Sequence, residues 1–390
     1  WTDHTFAGFP LELGAEFIHG ERVVTHDLLR AAGLTTLPAP RYPRLRWSEG
    51  ALAQPLAHLS PAPRQLIERL FQAYAALPTT FDPAADRSLA DHLRQLGHDP
   101  ASIAVADVLL AQTCCATLET LSCADLINEM RVDHAGRDEF RLSQGYAALL
   151  EWYSRGLPVQ LNTPVEEVHW RAGGVVARGA DQAFAARRCI ITLPVSLLQS
   201  EAIRFDPPLS QAKQAAIHAF RMEPATKLIY RFRRQLWDDD LVYMAHGGHI
   251  ARWWTPAYGR DSSKPDHALI TAFVTAERAR LVDAMPEATA LALGLQELAR
   301  LIGVADLAAA CTAARRVAWA AEPFTQGGYA HLPPGKADAR LALAQPEEGI
   351  LFFAGEATAH ESNPQTVHGA VESGWRAAQE CATALMSETF

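Results

Sequence analysis

The chain has 390 residues, 49% hydrophobic and 20% charged, which excludes intrinsic disorder and predicts two or three domains or two larger interleaved ones. Its 35 basic and 44 acidic side chains leave a formal charge of −9, which argues against a general nucleic-acid binder. No apolar run approaches the roughly 18 residues of a membrane span. Six cysteines without a CxxC or a repeated spacing argue against a disulfide framework or a zinc site, so the expected setting is reduced and cytoplasmic.

From the N-terminus, Leu11–Gly14 reads as a short strand running into a turn that ends at Gly20. Between His26 and Arg141 apolar residues recur every three or four positions, broken by Pro61, Pro63, Pro78, Pro83 and Pro100. That pattern predicts a block of about five helices. Ser143–Leu157 is predicted as a further helix, with strands over Val159–Leu161 and Val165–Trp170. After the turn at Gly173 and Gly174 come strands over Val175–Arg178 and Ala185–Thr192, the latter buried, and a short helix over Val195–Leu198. Lys227–Phe232, Leu241–Met244, Ile250–Trp254 and Ala268–Val274 predict a separate mixed sheet. Pro286–Ile302 reads as a helix, Arg315–Trp319 as a strand, Gly349–Ala354 as a fully buried strand and Pro364–Met386 as a long helix. Strand-to-helix junctions at both ends predict an α/β domain made of discontinuous pieces, with an α+β domain inserted.

The last strand and helix carry the strongest local signal. Ser362 and Asn363 before Pro364 form a helix-start signature, and the unpaired first-turn N–H groups place partial positive charge there. Gly369 and Ala370 let a flat ligand approach, and Glu356 is placed to accept hydrogen bonds from a ribose or ribitol hydroxyl; an ordinary capped helix is the plain alternative. Lys227 stands in an otherwise apolar strand, where a strand-edge lysine in water is the plain reading. Trp253 and Trp254 either wall a cavity or fill the core. Asp238–Asp240 reads as a solvated turn, and His246 and His249 flank a Gly-Gly hairpin turn better than they make a metal site.

FFAGEAT followed by TVHGAVESGWRAA resembles the C-terminal flavin-binding motif of the flavin-dependent amine oxidases, which include monoamine oxidases, polyamine and spermine oxidases and histone-lysine demethylases. LELGAEFIHG, LNTPVEEV, ITLPVSLL, TKLIYRF with LWDDD, and WAAEPFTQGGYAHLPPG are similar to further segments of that family, in its order and along nearly the whole chain. The resemblance implies a Rossmann-like FAD-binding domain of residues 1–26, 145–200 and 345–390. It also implies an α+β substrate-binding domain of residues 27–144 and 201–344 with a helical insertion.

The resemblance also assigns site residues. Lys227 becomes the flavin-facing lysine that holds a water against flavin N5, without forming a Schiff base. His19 faces the substrate amine, and Glu16 either pairs with that amine or flanks the flavin beside Gly14, Ala15 and Phe17. Val165 meets adenine through its backbone, and Thr192 lies over the adenine end. Trp319 and Gly328 lie beside the isoalloxazine, and Tyr329 lines the amine's approach. Gly355, Glu356, Val367 and Ala370 belong to the C-terminal motif. Thr366 takes the position of the second cage tyrosine of monoamine oxidases, as in the polyamine oxidase and demethylase branches. No cysteine stands between Cys311 and Cys381, so the FAD is expected to be non-covalent, and no metal is expected.

The family's opening GxGxxG unit is absent; the chain begins at Trp1. Roughly 40 residues are expected to lie on the native polypeptide or on a companion chain. The implied activity is oxidation of a polyamine or other primary or secondary amine by hydride transfer to flavin N5. An imine is hydrolysed to a carbonyl, and O2 is reduced to H2O2. Two rivals stand beside it: an L-amino-acid oxidase, which needs an arginine such as Arg252 or Arg44 for the substrate carboxylate, and a non-catalytic scaffold of the same fold.

Overall fold

A computed structural model of the protein describes residues 1–261 and 267–387. Its largest sheet has seven strands in the order Cys311–Ala318, Ala225–Phe232, Leu269–Thr275, Arg252–Trp254, Tyr243–His246, Leu45–Ser48 and Gln54–Pro55. All its pairings are antiparallel except that of Tyr243–His246 with Leu45–Ser48. Side chains alternate between faces along each strand. Leu228, Tyr230, Trp253 and Ile270 therefore turn one way, into a core with Val282, Ala290 and Leu298 from the helices Ala276–Ala284 and Glu287–Ile302. Each such fully buried large apolar side chain contributes about 1.5–3 kcal/mol. Lys227, Phe273, Arg252 and Trp254 turn the other way. There Trp254 and Phe273 pack against the core built by the helices Pro61–Thr80, Leu89–Gln95, Pro100–Leu109 and Cys123–Val132. The register sets Lys227 opposite Phe273 and Phe273 opposite Arg252, one cross-strand row.

The 26–141 block holds five α-helices among the described residues, counting Val24–Ala32, as its periodicity predicts. Pro78 lies inside the helix Pro61–Thr80 rather than ending it. Short strands interrupt the block as well. Glu139–Leu142 pairs with both Phe17–His19 and Thr36–Pro38, which ties the N-terminal loop to the helical block.

Several expectations are corrected. Val159–Leu161 is irregular and exposed instead of a strand, because no strand among the described residues pairs with it. The stretch over Ala185–Thr192 divides between two sheets. Ala183–Ala186 forms a hairpin with Gly174–Arg178, and Cys189–Ile191 pairs in parallel with Leu351–Phe353. Ile190 is 37% exposed in this edge strand, so the strand is not buried throughout. The C-terminal helix spans Val367–Ser387, starting three residues later than Pro364. No helix among the described residues is long and apolar enough to cross a membrane.

Candidate active site

Lys227 is 3% exposed on an interior strand, which sets aside the strand-edge reading. Its Nζ donates to the Glu12 carbonyl and to Glu16 Oε2, each at 2.9 Å, and lies 5.4 Å from the Trp254 ring centre. Glu16 takes more: Arg141 Nε at 2.7 Å and Trp254 Nε1 at 3.0 Å from both carboxylate oxygens. Burial alone would raise this carboxyl, but Lys227 and Arg141 hold it below the ordinary range. Of the two roles expected for Glu16, pairing with the substrate amine does not fit, because its carboxylate is already committed to Lys227, Arg141 and Trp254. It orients Lys227.

Phe17 and His19 sit on the strand that pairs with Glu139–Leu142. Glu139 accepts from Arg41 through both oxygens and meets His19 Nδ1 at 3.1 Å. Burial would raise Glu139, yet Arg41 and His19 together hold it far below the usual carboxylate range. The Arg41 guanidinium lies 3.9 Å from the Phe17 ring centre. His19 keeps 41% of its side chain exposed and bonds to neither Lys227 nor Tyr329, so Glu139 is what orients it.

Tyr329 donates to the Thr113 carbonyl at 2.7 Å, and Tyr42 meets the Thr113 hydroxyl at 3.0 Å. Burial pushes the Tyr329 phenol well above its ordinary value, so it stays neutral. Trp319 occupies a short 3-10 turn after the strand Cys311–Ala318 instead of ending that strand. Its Nε1 donates to the Leu13 carbonyl at 2.9 Å, and its ring lies so close to Gly14 that a Cβ there would come within 2.9 Å. Gly14→Ala is therefore expected to displace Trp319 and cost about 1–3 kcal/mol, read by thermal denaturation and tryptophan fluorescence.

The parallel strands Cys189–Ile191 and Leu351–Phe353 end at a cleft of about 260 Å³ lined by Thr192, Gly328, Gly355, Glu356 and Ala370, among others. Ligands of open α/β sheets bind outside the carboxyl ends of the strands. Glu356 clips this cleft together, accepting from the backbone amides of Ala330 at 3.0 Å and Gln365 at 3.2 Å. Thr366, not Ser362 or Asn363, caps the helix, with its hydroxyl accepting from Gly369 N–H at 3.0 Å and donating to the Asn363 carbonyl at 2.7 Å. Val367 begins the helix and packs against the cluster of Ile18, Leu29 and Tyr146. Val165 packs against the core of Val168 and Ile191. Ala15 is exposed in the loop before Phe17.

The family model for flavin containing amine oxidoreductases matches residues 1–382. The chain belongs to this family. It is 28% identical to human lysine-specific histone demethylase 2 over 263 residues, 65% of this chain and 32% of that protein. It is also 28% identical to polyamine oxidase 4 of Oryza sativa subsp. japonica over 250 residues, 63% of this chain and 49% of that one. The chain thus spans between a third and a half of the length of these curated relatives. Cyclohexylamine oxidase from Brevibacterium oxydans shares the fold, with a TM-score of 0.81 and 18% identity over 99% of this chain and 91% of that one. So does wild-type putrescine oxidase bound to putrescine, with a TM-score of 0.80 and 20% identity over 98% and 90%.

The residues of the site fit a flavin. Gly355 has φ +125°, and a Cβ built there meets nothing within 4 Å, so the strand end is open to a flat ring. Three residues of the site carry no sequence motif: Arg141, Arg41 and Glu139. Gln365 carries none either. It holds φ +61° at the helix entrance, and its side-chain amide donates to the Ala330 carbonyl at 2.9 Å and the Cys114 carbonyl at 3.3 Å. Such a backbone conformation persists only where its surroundings enforce it. Of the tryptophan pair, Trp253 fills the core beside Tyr230, and Trp254 belongs to the site.

Proposed function

We propose that this chain, with FAD bound non-covalently, oxidises a primary or secondary amine. The observation that carries the reading is Lys227 buried in the sheet interior and fixed by Glu16, within a chain of the amine oxidoreductase family. Bound FAD supplies the acceptor for a hydride from the carbon bearing the amine, and its reoxidation by O2 yields H2O2. An ammonium has three N–H donors, and Lys227 spends two on Glu12 and Glu16, leaving one to hold a water. Lys227, Arg41, Arg141 and Arg252 surround the site with positive charge, which favours the neutral form of an incoming amine, the form able to lose hydride. Tyr329 and Trp254 offer aromatic walls to it. Water then hydrolyses the released imine to a carbonyl. Glu356 and Gln365 fix the chain at the entrance of the helix Val367–Ser387, whose residue Ala370 lines the cleft, and the partial positive charge of such a helix start suits an anionic ligand edge. Polyamines are one class of such amines, as His19 and Thr366 suggest by resemblance.

The test is anaerobic mixing of the FAD-loaded protein with a panel of primary and secondary amines and amino acids, following the flavin absorbance. Bleaching by members of the panel, with H2O2 formed on admitting air, is expected. A protein that binds FAD and is bleached by none is a scaffold, and the reading fails.

A further inference from the structure

We infer that the amine taken by this site also carries a carboxylate, bound by Arg252 with the help of the Tyr243 hydroxyl, so that the substrate is an amino acid rather than a polyamine. This rests on the amine-oxidation reading above and narrows it.

Four arginines are more than nine-tenths buried: Arg41, Arg141, Arg252 and Arg340. Three have carboxylate partners, in Glu139, Glu16 and Asp125 respectively. Arg252, only 1% exposed, has none among the described residues. Its Nε donates to Tyr243 Oη at 2.6 Å, and its Nη1 is buried with no hydrogen-bond partner among the described residues. A buried guanidinium without a counter-ion is strongly destabilising, so a protein that keeps one has an anion to place against it. Tyr243 accepts from Arg252 and has its own hydroxyl proton left to donate, which makes the pair a donor set for a carboxylate. Arg44, the other arginine considered from sequence, is half-exposed beside Asp240 and does not serve.

The location fits. Arg252 stands in the same cross-strand row as Lys227, with Phe273 between them, and two residues from Trp254, which binds Glu16. The charge balance points the same way. Among the described residues, Lys227, Arg41 and Arg141 pair with Glu16 and Glu139, and the Glu12 carboxylate, which accepts from the Thr2 hydroxyl and the Tyr146 amide, feels the Lys227 charge, so with Arg252 the four cations outnumber these three carboxylates. A polycation entering here meets net repulsion, whereas a carboxylate neutralises the excess.

The experiment compares amino acids with their decarboxylated amines on the FAD-loaded protein: L-ornithine with putrescine, and L-phenylalanine with phenethylamine. Flavin bleaching is expected to be at least about tenfold faster with the acid of a pair. In Arg252→Met the ratio of kcat/KM for acid over amine should fall about 10–100-fold, and by less in Tyr243→Phe. Calorimetric titration supplies a readout free of turnover: benzoate binds the wild type and benzamide does not, and benzoate binding is lost in Arg252→Met. Tyr243→Phe, which removes one oxygen and no charge, decides the matter if the Arg252 variant does not fold. Amines that bleach as fast as their acids, with a ratio unmoved by either substitution, overturn the carboxylate assignment and leave amine oxidation standing. Silence from every compound overturns amine oxidation itself.

Discussion

Lys227→Met is expected to lower kcat/KM of the FAD-loaded protein by about 10²–10⁴-fold, the range lost with a positioned proton-handling group. The fold should tolerate this substitution better than its burial suggests. Glu16 keeps Arg141 and Trp254 as partners when Lys227 leaves, so one carboxylate still faces one guanidinium. Glu16→Gln reverses the order of effects. It strands Lys227 and Arg141 as two buried cations sharing no anion, and should cost about 3–5 kcal/mol of stability. Urea denaturation and steady-state kinetics on both variants check the pair. A Lys227→Met protein that turns over at the wild-type rate removes Lys227 from the chemistry. A Glu16→Gln protein as stable as wild type removes the ion cluster from the fold.

The second large effect is on pH. His331 and His368 are 1% and 3% exposed, and burial pushes their pKa values down to about 3 and about 4. Arg221 and Arg340 add to the effect at His331, and His19 at His368. In the unfolded chain both titrate near their ordinary value of 6.5. Below that value the unfolded state binds protons that the folded state refuses, so stability is full above it and falls as pH drops toward the folded values. Each histidine contributes about 1.4 kcal/mol per pH unit across this window, giving about 2–3 kcal/mol per unit for the two together. Glu16 and Glu139, both depressed, act lower down, losing their contribution only as pH falls below the ordinary carboxylate range. Glu129, pushed up to about 8 by burial, and the raised carboxyls of Glu12, Asp125 and Glu356 work the other way here, keeping protons in the folded state that the unfolded state loses. The histidine effect is therefore read as a difference: His331→Gln should lower the slope of unfolding free energy between neutral pH and about 4.5 by about 1.4 kcal/mol per unit relative to the wild type. A slope left unchanged in His331→Gln contradicts the burial of this ring as a neutral base.

What the chain discloses before folding follows from how its interactions are written. The strand Leu351–Phe353 and the helix after it are legible because a buried run, a glycine and small helix residues fall within thirty positions of one another. Lys227 is legible because a lone cation in an apolar strand has few explanations. Arg41, Arg141 and Glu139 are not, since Arg41 is one charged residue before a short turn, Glu139 and Arg141 are two on a four-residue strand, and their partners are close only in three dimensions. Arg252 shows the same limit from the other side: its lack of a carboxylate is a property of its surroundings and leaves no mark on the neighbouring residues. Boundaries failed where pairing decides them. Ala185–Thr192 has the composition of one strand, but separate partners divide it. Val159–Leu161 has that composition too, with no partner. At the last helix the Ser-Asn-Pro signature was credible, yet the Thr366 hydroxyl reaches the Gly369 amide and moves the start.

The row that joins Lys227, Phe273 and Arg252 crosses three hydrogen-bonded strands, and strands in a sheet keep a nearly constant spacing. Two such steps place the backbones of Lys227 and Arg252 about 10 Å apart, a separation the ladder does not let drift. The sheet is in this sense a ruler laid between the reacting end of a substrate and its anchored end. Selection by chain length then changes in increments of side-chain reach, one methylene at a time at the Arg252 end, while the graduations of the backbone stay where they are.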